Sequence, residues 1–147
     1  MTEKFHVDQI DHVELFVPDR REAAEWYEET LGLRIVEEFE SWADDPRGPL
    51  MIATPRGGTK LALFTGEPQG DRPTAGYHLV AFRVSGESFL QFLDSLAERE
   101  LVDHDGRKVG KGNAKDHGKA FSVYFSDPYG HRLEITTYEH EVVRSTT

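Results

Sequence analysis

The 147-residue chain has no cysteine. That removes disulfides, thiolate metal ligands and a thiol nucleophile together, so any metal must be held by imidazole and carboxylate. Nowhere do the roughly 18 apolar residues of a membrane span run together. Met1 to Gln9, with Glu3, Lys4 and Asp8, lacks the apolar core of a signal peptide. The expectation is a cytoplasmic protein with no membrane partner. Positive charge is also scarce: 27 acids against 17 bases leave a formal charge of −10. Such a surface repels a phosphate backbone and argues for small molecules rather than nucleic acid as partners. The bases are bunched, with Arg107, Lys108, Lys111, Lys115 and Lys119 in one short stretch. Acidity with little lysine elsewhere hints at a salt-tolerant source.

What is present is an α+β pattern written twice. In Ile10 to Val17, Val13, Leu15 and Val17 alternate with His12, Glu14 and Phe16, as in a strand with one covered face. Pro18 ends it. Asp19 and Glu22 have capping-box spacing, and Ala23, Trp26, Tyr27 and Leu31 form a helical stripe that stops at Gly32. Strand-like runs follow at Leu33–Phe39, Leu50–Thr54 and Thr59–Phe64, with a loop around Trp42 to Pro49. After the polar connector Glu67–Ala75, Tyr77–Val84 repeats the first strand, with His78 and Phe82 in phase with His12 and Phe16 at a repeat of 66. A second helix is expected from about Glu87 to Glu98, then strands at Leu101–His104, Ala120–Ser126 and Arg132–Tyr138. Pro55-Arg56-Gly57 and Pro128-Tyr129-Gly130 make matching turns before the last strand of each half. The expected architecture is one domain of two βαβββ modules, about 8–66 and 76–139, with mixed sheets curled around a metal-binding cleft.

That architecture brings three side chains into consideration as ligands. Glu134 shares a strand face with Arg132, Thr136 and Tyr138, while Leu133 and Ile135 take the other. With His12 and His78 on equivalent strands, the expected metal site is His12, His78 and Glu134. The matching position of half one is Leu61 or Ala62, depending on whether a residue is inserted after Gly57, and neither binds metal. Two imidazoles and a carboxylate leave positions open for substrate or oxygen. This suits Fe²⁺ best, with Mn²⁺ or Zn²⁺ as alternatives. His6, His104 and His140 read as solvent-facing or packing residues, and His131 as structural. The glycine-bearing loop Gly106–Lys119 is either a lid that recruits an anionic substrate through its lysines or a solvated polar loop.

The segments IDHVELFVPD, WYEETLGL, YHLVAFRV and DHGKAFSVYFSDPYGHRLEITTYE together resemble the vicinal oxygen chelate superfamily, over nearly the whole chain. The superfamily includes glyoxalase I, bleomycin-resistance proteins, fosfomycin-modifying enzymes and extradiol dioxygenases. The resemblance implies paired βαβββ modules, a divalent ion in each cleft, a small oxygen-chelating substrate and a homodimer. The last segment is most similar to the close of extradiol dioxygenases, which implies Tyr124 and His117 as catalytic residues; the residues expected at the substrate are Lys115 and Lys119 of the basic loop and Arg132. Two departures stand against it. No histidine lies in Thr59–Thr65, where ring-cleaving members usually carry an acid-base histidine, and Lys115 sits about where they carry another. The fourth ligand of glyoxalase I is absent at Leu61 and Ala62. Glu14 stands where many fosfomycin enzymes have a threonine. A lyase, epimerase or thiol transferase on the same site, and a metal-free drug-sequestering protein, are the alternatives.

Overall fold

The structure is a computed structural model and describes residues 9–67 and 79–146. His6, Tyr77, His78 and most of the connector lie outside those residues. The chain divides into two compact units, residues 1–69 and 70–147.

In the first unit, β1 (His12–Val17) leads into α1 (Arg20–Leu31), followed by β2 (Arg34–Ile35), β3 (Leu50–Ala53) and β4 (Lys60–Thr65). The sheet order is β1-β4-β3-β2, with β1 parallel to β4 and the other pairs antiparallel. The capping signals fix α1: the Asp19 side chain accepts from the amides of Arg21 and Glu22, and Gly32, at φ 75°, closes the helix left-handed. Leu15, Val17, Tyr27, Leu50, Ile52 and Leu63 form the core beneath the sheet. The expected strand Leu33–Phe39 is reduced to two residues, because a 3-10 helix, Glu37–Asp44, takes over. Its sequence does not alternate. Phe39 and Trp42 are spaced by three, the repeat at which 3-10 side chains eclipse, and their rings stack 4.5 Å apart.

The second unit has β5 (Val80–Arg83), α2 (Gly86–Ser95), β6 (Lys115–Asp116), β7 (Phe121–Ser126), β8 (Arg132–Thr137) and α3 (His140–Thr146). Its sheet order, β5-β8-β7-β6, repeats that of the first. Ser85 caps α2 through the Ser88 amide, and Phe89 and Leu93 are buried. The helix finishes as a 3-10 turn, Leu96–Glu98. The strand expected at Leu101–His104 is only a pair of bridges from Val102 to Lys108 and Ser126. The helix α3 was not legible in the sequence. The two halves are therefore βαβββ modules of an α+β fold.

The pairing register corrects the repeat. Val13 faces Leu61 and Glu14 faces Ala62; Val80 faces Leu133 and Ala81 faces Glu134. Val13 thus corresponds to Val80, a repeat of 67 along the first strand rather than 66. On the closing strand Ala62 is the counterpart of Glu134, because half one carries one extra residue after Gly57. The third strand agrees, since Met51 faces Ala62 as Tyr124 faces Glu134. Phe82 is consequently the counterpart of buried Leu15, not of Phe16. The counterpart of His12 is Leu79.

Candidate functional site

On the first unit, β1 presents His12 and Glu14 from the face opposite the core. The imidazole is held on both sides: Nδ1 lies 2.9 Å from Asp11 Oδ2 and Nε2 lies 3.2 Å from Glu14 Oε2. The Asp11 carboxylate, then Glu14, hold the pKa of His12 above its ordinary value against the opposing effect of desolvation. Hydrogen bonds from His12 and Lys60 pull Asp11 below the usual carboxylate range. To ligate a metal, His12 must lose its proton and release one of these carboxylates. Around it opens a cavity of about 300 Å³, with Phe39, Trp42, Met51, Ala62 and Phe64 in its lining.

On the second unit, the antiparallel register sets Tyr124 directly opposite Glu134. The phenol hydroxyl is hydrogen-bonded to His117 Nε2 at 2.9 Å, and the Lys115 ammonium lies 5.9 Å from the centre of the tyrosine ring. Burial, then the negative charge of Glu134, push the Tyr124 pKa up, so the phenol remains a proton donor at neutral pH. The structure therefore joins His117, Tyr124, Glu134 and Lys115. Lys119 is exposed, and Arg132 is half-buried at the start of β8. The basic loop is anchored rather than free: Val109 is buried, its amide donates to Leu101 O, and β6 pairs with β7. Lys111 is engaged by Asp94 at 2.9 Å. His140 is a packing residue, stacked on Phe121 and 2.7 Å from Asp116 Oδ1. His104 is exposed beside Asp105, and the His131 amide closes a turn onto Asp127.

Among the described residues no three acidic, histidine or cysteine side chains gather as a cation site. The imidazole of His12 and the carboxylate of Glu134 suit a divalent ion chemically. The second imidazole was expected from His78, which lies outside the described residues; the register carried back from Val80 sets Leu79 at the position equivalent to His12. Sequence reading also missed Phe39, Trp42 and Lys60. A tryptophan in a loop rich in Asp, Gly and Pro was the available signal, since so large an apolar side chain has little reason to sit in solvent.

The family model for the Glyoxalase/Bleomycin resistance protein/Dioxygenase superfamily matches residues 9–135. The chain belongs to that superfamily. It is 27% identical over 131 residues to the metallothiol transferase FosB of Lysinibacillus sphaericus, covering 89% of this chain and 83% of that protein. Among solved structures, the oxidase ChaP-H2 superposes with a TM-score of 0.62 at 23% identity, covering 90% of this chain and 94% of that one. A superfamily member from Sphaerobacter thermophilus gives 0.66 at 19%, covering 89% and 98%. These structural likenesses establish the fold. Among the described residues no helix is long and apolar enough to cross a membrane.

Proposed function

We propose that the chain is an enzyme acting on a small oxygen-bearing substrate with a divalent ion, of oxidase or dioxygenase type. The observation that carries this reading is the row Glu134, Tyr124 and His117, a carboxylate opposite a phenol that is hydrogen-bonded to an exposed imidazole. The protonated phenol donates to a substrate oxygen, and His117 gives or takes the proton that the reaction moves. A bound Fe²⁺, with Mn²⁺ or Zn²⁺ as alternatives, supplies positive charge where negative charge develops on the substrate oxygens. His12 and Glu134 would hold it. His78 is the third proposed ligand. Lys115, Lys119 and Arg132 draw in an acidic substituent, and the active form is a cytoplasmic homodimer.

The test is anaerobic Fe²⁺ loading, followed by oxygen uptake and absorbance with a catechol panel. One equivalent of bound iron with no oxygen uptake eliminates the oxidative reading. Thiol transfer, to which the likeness to FosB lends support, and lyase or epimerase chemistry then remain; the metal found in the purified protein separates them from the oxidase. A second reading, a metal-free binder of small molecules, is favoured by Leu79 at the position equivalent to His12. If His12→Ala leaves metal content and ligand affinity unchanged, the binder displaces the enzyme.

A further inference from the structure

The cavity beside His12 has a construction that the metal and the proton-handling row do not explain. Trp42 is 49% exposed, although it could pack as a core residue, and it stacks on Phe39 with an interplanar angle of 19°. The pair stands on the 3-10 helix Glu37–Asp44, whose following loop is tied down by Arg20: the guanidinium donates to the carbonyls of Ala43 and Asp45, at 3.0 and 3.3 Å, and to that of Gly48. Gly48 is required for this close approach, because a Cβ there would sit 2.0 Å from the Trp42 carbonyl oxygen. The aromatic wall is thus held in place by its backbone. Small Ala62, between Glu14 and Met51 in the register, keeps the floor open. The polar edge carries Glu14 and His12.

We infer that this cup binds a planar aromatic ring of one or two fused rings, face against Trp42, with a hydroxyl donating to Glu14 at the edge. About 300 Å³ lies at the lower end of small-molecule pockets and has room for such a group. A saturated ring of the same size fills the volume but forgoes the stacking, since offset and edge contacts between π systems add to simple area burial. With Asp11 and Glu14 at the mouth and Lys60 already paired to Asp11 at 3.2 Å, the part of the ligand inside the cup is a neutral ring, and any acidic substituent lies outside it. The inference deepens the proposed reading, on which the view of the bound ring as substrate rests. Binding itself requires neither metal nor turnover.

The experiment is calorimetric titration of the whole chain in EDTA with 2-naphthol and with its saturated counterpart, decahydro-2-naphthol. The aromatic alcohol is expected to bind about 3- to 10-fold more tightly, in keeping with the usual strength of aromatic pairs. Trp42→Ala abolishes that preference and Trp42→Phe retains most of it, with folding of each checked by circular dichroism. Equal affinities, no binding of either alcohol, or a preference that survives Trp42→Ala overturns the inference. Aromatic selectivity without oxygen uptake in the iron-loaded protein sustains the cup and sinks only the oxidative reading.

Discussion

Replacing Leu79 by histidine tests the register and the proposed metal site together. Leu79 is the counterpart of His12 and has the strand parity of Ala81, which faces Glu134. An imidazole there would share the open face with that carboxylate. Leu79 is half-buried, so the exchange forfeits little packing. Suppose the added donor tightens metal binding 100-fold. At a free metal concentration equal to the wild-type Kd, the native protein gains RT ln 2, about 0.4 kcal/mol, and the variant RT ln 101, about 2.7 kcal/mol. At roughly 2–4 °C per kcal/mol for a chain of this size, the metal-induced rise in Tm grows from about 1 °C to about 5–10 °C. Thermal melts against Mn²⁺ or Zn²⁺, with elemental analysis after gel filtration, make the measurement; His78→Ala is the companion. If Leu79→His neither raises Tm nor adds bound metal while His78→Ala empties the protein of metal, the phase derived from the register does not extend to the start of β5 and the argument fails.

Tyr124→Phe, which deletes the hydroxyl that His117 contacts, is expected to lower kcat about 100-fold with little change in bound metal; an unchanged kcat removes the phenol from the chemistry. Asp116 is held below its ordinary pKa first by the His140 hydrogen bond and then by the Gly118 amide. A depressed carboxylate pKa stabilises the fold above the unfolded value, about 3.9, and loses that contribution as pH falls through the folded one. Asp116→Asn should therefore flatten the fall of Tm below about pH 4, and an unaltered acid limb would count against the pair. Leu63 on β4 is fully buried, so Leu63→Ala should cost about 2–5 kcal/mol in urea unfolding, whereas a loss below about 1 kcal/mol would mean the core repacks around it.

Local signals in the sequence carried much of the fold. Asp19 and Gly32 bracket α1 because the N-cap carboxylate accepts from amides two and three residues ahead and the C-cap amide donates to carbonyls four and five residues behind, and the alternation in β1 and β8 separates Leu133 and Ile135 from Glu134 because side chains along a strand change face at every step. The spacing of seven from His117 to Tyr124 was visible too, and the short link between β6 and β7 brings the two within 2.9 Å. The stretch Glu37–Asp44 was misread because its acidic residues give no alternation and the ring stack that stabilises a 3-10 turn is a three-dimensional event. Only tertiary structure could decide the phase of the second half. Apolar residues at Leu79, Val80, Ala81 and Phe82 permit either face to turn inward, and the hydrogen bonds to β8, some fifty residues away in the chain, choose one. A slip of one residue exchanges the faces of a strand, and the register pairs Ala81, not Phe82, with Glu134. The cup of Phe39 and Trp42 was likewise beyond the sequence, because it depends on Arg20 reaching across to a loop more than twenty residues away.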